Sequence, residues 1–180
     1  MRTPTYSNVT VLVDPREKVA FRWKFPQHLD LALGLNNPKR FTLKPVVRTL
    51  AAGDYCLEDG LSGIERKRGV AEIWSNLFTA DRVRFLTALT RLADTYIPAY
   101  LWIEDTLASF KRGATAYLDD RTIVVDGEEV WAALLQVCKP LRISVSCIGK
   151  VLTPTARRQV GANAVRLLLT DKLTAEGYLP

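Results

Sequence analysis

Short apolar runs alternate along this chain with longer stretches of helical spacing. Val9 to Val13 is an unbroken, mostly β-branched run, the pattern of a buried strand, and it delivers Asp14 to its C-terminal end. Phe41 to Leu50 alternates apolar and polar positions, Ile97 to Ile103 reads as a second buried strand closed by Glu104-Asp105, and Ile143 to Ile148 alternates again. Phe25, Leu29, Leu31, Ala32 and Leu35 are compatible with a helix after Pro26 that stops at Gly34 or at Asn36-Asn37-Pro38. From Val70 to about Asp94 the apolar positions Ile73, Leu77, Phe78, Val83, Leu86, Leu89 and Leu92 keep helical spacing, with a break at Thr79-Ala80-Asp81 and Asp81 as an N-cap for the second piece. Glu128 to Val137 and Pro154 to Leu169 predict two further helices, and Tyr117 to Val125 a short extended stretch ending in the turn Asp126-Gly127. Met1 to Asn8 is a polar lead-in. This order predicts one α/β domain over residues 1–180, with a mixed central sheet flanked by helices and no repeat or linker.

The stretch Gly53 to Leu77 concentrates the candidate chemistry. It reads as a strand ending at Gly53-Asp54-Tyr55, a turn over Glu58 to Gly63, a second strand over Ile64-Glu65-Arg66-Lys67, and a helix opening near Val70. Strand side chains alternate faces, so Glu65 and Lys67 share one face and Arg66 takes the other. If the 54–57 and 64–67 segments pair as a hairpin, Asp54 lies beside Glu65. Two carboxylates and an ammonium at a sheet end are the minimum equipment for metal-assisted phosphodiester hydrolysis: the acids hold a hard cation, and the lysine orients water or neutralises charge on the phosphorane. On spacing alone, the same residues also read as solvated charges at a strand end.

Composition narrows the class. Lys and Arg number 25 against 19 Asp and Glu, a formal net charge of +6, and the sequence pI is about 9.4, a balance that favours polyanions. Cys56, Cys138 and Cys147 are odd in number and widely spaced, which suits reduced buried thiols; His28 is the single histidine and no CxxC occurs, so zinc is not expected. No apolar run of membrane length appears, and the expected location is cytoplasmic or nucleoid-associated. Phe21, Trp23 and Phe25 interleave with Arg22 and Lys24, which fits either a nucleic-acid stacking surface or the face code of a strand. Arg82, Arg84 and Arg91 lie on the predicted helix after the hairpin, and Lys111-Arg112-Gly113 in a loop; both sets are read as phosphate contacts or as plain surface charge.

Three separated motifs occur in order: Val13-Asp14-Pro15-Arg16-Glu17, Gly53-Asp54-Tyr55 and Ile64-Glu65-Arg66-Lys67. Together they closely resemble the nuclease domain of the XPF family of structure-specific DNA endonucleases, with its VDxRE strand, GDY turn and V/IERKxxxD segment. The resemblance implies a restriction-endonuclease-like core of the PD-(D/E)xK type and a metal-dependent DNA endonuclease acting on branched, flap or junction DNA. It implies a catalytic set of Asp54, Glu65, Lys67 and Arg66, with Asp14, Asp54 and Glu65 holding Mg²⁺ or Mn²⁺. Arg16, Glu17 and Arg66 would position the phosphate and the acidic cluster, and Arg84, Lys111 and Arg112 would contact DNA. Where the family has an aspartate after ERKxxx this chain has Ala71, followed by Glu72, the candidate replacement.

The tandem helix-hairpin-helix domain that usually follows in that family has no counterpart in residues 171–180, so a homodimer or a targeting partner protein is expected. The alternative reading is a non-catalytic DNA-binding scaffold subunit, motivated by the altered ERKxxxD tail. A nuclease of the same core acting on ordinary duplex or single strands is the third.

Overall fold

In the computed structural model, residues 4–18, 22–33, 38–118 and 121–179 are described. A seven-stranded mixed sheet forms the centre, in the spatial order β2-β3-β1-β4-β5-β6-β9. In chain order the strands are β1 (Asn8–Val13), β2 (His28–Ala32), β3 (Pro38–Val47), β4 (Tyr55–Leu57), β5 (Gly63–Lys67), β6 (Ala99–Ile103), β7 (Ala114–Leu118), β8 (Arg121–Val125) and β9 (Ile143–Cys147). The helices are α1 (Val70–Phe78), α2 (Arg82–Thr95), α3 (Leu107–Lys111), α4 (Gly127–Cys138) and α5 (Pro154–Ala175). β1 runs parallel to β3 and antiparallel to β4, β4 pairs antiparallel with β5, and β5, β6 and β9 are parallel. β7 and β8 form a separate two-stranded sheet.

Alternation along the strands supplies both faces of the sheet. Leu12, Cys56, Leu101 and Ile103 pack toward α1, α2 and α4, against Ile73, Leu77, Phe85, Leu89, Leu92 and Leu134. Val11, Val13, Tyr55, Ile64 and Trp102 pack the other way, under Val160, Ala164, Leu168 and Leu169 of α5. Asp14, Lys67 and Glu104 follow or end the parallel strands β1, β5 and β6, so they gather at one end of the sheet.

Three expectations change, and one open alternative is decided. His28–Ala32 is a strand and not a helix: Leu29 pairs with Phe41 and Leu31 with Lys39, and the same apolar residues that fit a helical period also fit a period of two once β3 is alongside. The expected helix ends at Gly34 and Asn36-Asn37 lie outside the described residues. Tyr55 opens β4 and does not close a preceding strand, because β3 already ends at Val47. Asp81 makes no side-chain cap; its carboxylate pairs with Arg84 at 3.1 Å. Trp23 is 3% exposed and stacks on Tyr55 with ring centroids 4.2 Å apart, while Phe25 meets the edge of the same ring, so these aromatics are core and not a stacking surface for nucleic acid. Phe21 lies outside the described residues. Among those residues, no helix is long and apolar enough to cross a membrane.

Candidate active site

Antiparallel pairing of Tyr55 with Ile64, carried one residue further, sets Asp54 opposite Glu65. Two hydrogen bonds lock that register: the Asp54 N–H donates to the Ile64 carbonyl at 2.8 Å, and the Arg66 N–H donates to Asp54 Oδ2 at 2.8 Å. Asp54 Oδ1 accepts no hydrogen bond from the described residues. Gly53, at φ 70, admits the tight approach; a Cβ there would lie 3.0 Å from the Ile64 carbonyl oxygen. Burial, then the neighbouring Glu65 charge, raise the Asp54 carboxyl above the ordinary carboxylate range.

Lys67 sits on the same face as Glu65, with Nζ 2.6 Å from Glu65 Oε1 and 3.8 Å from Glu72 Oε1, and 5.6 Å from the centre of the Phe85 ring. Burial disfavours the ammonium, but Glu65 and Glu72 outweigh it and raise its affinity for the proton. Lys67 is therefore a cation and a hydrogen-bond donor here, not a base. Glu72 lies at the start of α1 and also accepts the Arg68 N–H at 2.8 Å.

These groups line a cleft of about 360 Å³ walled by Gly53, Asp54, Glu65 and Lys67 on one side and by Asn76, Arg84, Phe85, Ala88 and Arg91 on the other, with Arg16 at its rim. Arg84, Phe85, Ala88 and Arg91 form one stripe of α2, so two arginines a little under two turns apart face the acid pair. Arg82 does not join them; its guanidinium donates to the Leu77 carbonyl and closes the end of α1.

Asp14 and Arg66 take places that differ from the expected ones. Asp14 is fully buried and already holds four donors: the Arg16 N–H and Nε on Oδ1, and Arg16 Nη2 and the Leu50 N–H on Oδ2. Burial pushes its pKa up, but those hydrogen bonds prevail and hold the carboxyl below its usual range. With these four donors on its oxygens, Asp14 aims Arg16 at the cleft. Arg66 points to the opposite face, as alternation requires, and its side chain is 4% exposed between Glu17 and Glu104. Nη1 donates to both Glu17 oxygens at 3.1 and 2.8 Å, Nε to Glu104 Oε1 at 2.7 Å and Nη2 to Glu104 Oε2 at 2.6 Å. The Arg66 guanidinium therefore has no reach into the cleft, and its contribution to the site is its backbone N–H on Asp54.

Glu17 also accepts the Tyr55 hydroxyl at 3.2 Å, and Glu104 accepts Trp23 Nε1 at 2.7 Å. Sequence reasoning missed Glu104, Trp23 and Asn76; the one local signal was an acid closing a buried strand. Lys111 pairs with Glu128 at 3.1 Å, and neither it nor Arg112 lines the cleft. Among the described residues, no three His, Cys, Asp or Glu side chains converge as a metal cluster. The donor set that remains, Asp54 and Glu65, suits a hard cation that binds through one or two carboxylates and keeps its waters.

A mixed sheet flanked by helices thus carries paired carboxylates and a lysine at two adjacent strands. Among solved structures the chain is similar to XPF from Aeropyrum pernix, at 19% identity and a TM-score of 0.53, over 88% of this chain and 60% of that one. It is also similar to XPF from Aeropyrum pernix in complex with DNA, at 17% identity and a TM-score of 0.53, over 94% of this chain and 66% of that one. The likeness establishes an XPF-like fold, and the chain spans about 60% of the length of the first of these proteins. No family profile and no curated protein matches the sequence.

Proposed function

We propose that this chain is a metal-dependent DNA endonuclease that hydrolyses phosphodiester bonds, with branched, flap or junction DNA in repair or recombination as its substrate. The observation that carries this reading is the Asp54, Glu65 and Lys67 group in a cleft whose other wall is arginine-rich. Asp54 and Glu65 are the side chains that would hold Mg²⁺ or Mn²⁺, which when bound would polarise the scissile phosphate and acidify a water.

The chain's own residues supply the rest. Lys67 stays protonated and donates to the attacking water or to a phosphate oxygen, and when Glu65 turns from it Glu72 remains as its counter-charge. Arg16, held by Asp14, and Arg84 and Arg91 on α2 bind the non-bridging oxygens on either side of the scissile phosphate. Arg66, Glu17 and Glu104 act from the far face by fixing the strand that carries Glu65 and Lys67. The DNA-bound Aeropyrum pernix XPF of the same fold supports DNA as the ligand. A dimer or a targeting protein, in an intracellular setting with access to DNA, belongs to the same reading.

The test is cleavage of labelled duplex, single strand, flap, fork and four-way junction with Mg²⁺ or Mn²⁺, with Asp54→Asn and Lys67→Ala beside the wild type. The expected result is metal-dependent cutting that falls on the order of 10²-fold or more in each variant. Tight binding with no cutting under any metal would reject the enzyme and leave the scaffold reading.

A further inference from the structure

The face of the sheet opposite the cleft carries a second basic feature. A groove of about 350 Å³ runs between the edge strand β2 and the N-terminal half of α5, lined among others by His28, Thr155, Arg158, Gln159 and Arg166. Between Pro154 and Thr170 the helix has Arg157, Arg158 and Arg166 and no acid. Among the described residues Arg158, which is exposed, makes no ion pair, and neither does Arg166, whose Nη1 donates to the Asn163 amide oxygen at 3.3 Å. The one acid in the lining, Asp30, is neutralised by Arg40 through two bonds of 2.9 and 3.1 Å. Arg157 and Arg158 also sit in the opening turns of α5, where the helix dipole disfavours cations, so helix stability does not account for their placement.

The start of α5 lies at the same end of the sheet as the cleft, whereas the β2 wall of the groove, His28 to Asp30, is level with and beyond the start of β1. Gly149 donates to the Asp105 carbonyl at 2.9 Å, and α5 starts a few residues later. Lys24 donates through its N–H to the Arg157 carbonyl at 3.3 Å, the adjoining Trp23 donates to Glu104, Glu104 holds the Arg66 side chain, and the Arg66 N–H holds Asp54. Gly161 lets this contact form, since a Cβ there would lie 2.2 Å from the Lys24 carbonyl oxygen. One continuous chain of contacts thus joins the groove on the α5 face to the acid pair on the α2 face.

We propose that the β2–α5 groove binds the phosphate backbone of a second DNA arm, so that a branched substrate is held with one arm in the cleft and another along the α5 face. This rests on the nuclease reading. A backbone lying in the cleft stays on the α2 face, whereas an arm diverging from a branch passes to the other, and discrimination for branched DNA comes from using both.

The experiment compares a three-armed and a linear DNA of equal length, by anisotropy across a salt series and by cleavage, for the wild type and the Arg158→Glu/Arg166→Glu double variant. Both side chains are exposed, and a thermal melt checks that the variant is folded. The expected result is a loss of affinity at least fivefold larger on the three-armed DNA, with the slope of log K against log salt shallower there by about 2 for the two phosphate contacts removed. A wild-type enzyme that cuts DNA while the variant loses equally on both substrates, or on neither, overturns the groove and leaves the nuclease reading standing. A wild type that neither binds nor cuts any DNA removes both.

Discussion

Arg66→Met tests whether the far face of the sheet is held by a buried ion cluster. The substitution keeps most of the side-chain volume and removes the single cation between Glu17 and Glu104, whose side chains are 13% and 9% exposed. Breaking a buried pair leaves an uncompensated charge and costs about 3–5 kcal/mol. For a chain of this length each kcal/mol lowers Tm by about 2–4 °C, so the expected shift is roughly 6–20 °C. Urea unfolding gives the free energy directly, with an unchanged m-value as the check that the unfolded state is the same.

Adding Glu17→Gln and Glu104→Gln to Arg66→Met removes the orphaned charges while keeping an oxygen for the Tyr55 hydroxyl and for Trp23 Nε1. That triple variant recovers more than half of the loss, since a buried ion cluster is expensive to break and close to neutral to replace. If Arg66→Met falls within about 1 kcal/mol of the wild type, the cluster behaves as a solvated surface pair and the reasoning fails. A triple variant no better than the single would assign the loss to packing.

Two further substitutions probe the site and its support. Gly161→Ala, which in a free helix would stabilise by about 1 kcal/mol, is expected to destabilise by about 1–3 kcal/mol in urea, because the new methyl meets the Lys24 carbonyl; a more stable variant would contradict the close approach. Asp54 has its folded pKa raised, by burial and then by Glu65, so it contributes stability at pH below its unfolded value that is lost as pH rises through the folded one. Asp54→Asn should therefore raise Tm of the protein in chelator more at pH 9 than at pH 4, and a gain independent of pH would mean that Asp54 ionises as a solvated acid does.

The acid pair and lysine were legible in the sequence because two short-range rules suffice for them. Alternation puts Glu65 and Lys67 on one face, and an antiparallel hairpin over the 54–57 and 64–67 segments puts Asp54 beside Glu65. β2 was not legible, because Leu29 and Leu31 between Phe25 and Ala32 satisfy both periods, and the choice is made by β3, whose pairing with β2 begins at Pro38. Asp14 was legible as a carboxylate at a strand end, but whether it meets an ion or an arginine depends on the Leu50 N–H and on how Arg16 turns back.

Arg66 shows the limit most clearly. The alternation that sends Glu65 and Lys67 into the cleft also excludes Arg66 from it, so its absence from the catalytic wall follows from the sequence. What alternation does not supply is the reason a guanidinium tolerates that face. Burial of such a cation requires partners for its charge and for its fork of donors, and here these are Glu17, 49 residues away, and Glu104, 38 residues away. Neither separation carries a local signature, because each acid alone reads as the polar end of a strand. Only the parallel placement of β5 beside β6, with β1 two strands away from β5, turns two strand-end acids into the sockets that hold Arg66 and, through its N–H, the orientation of Asp54.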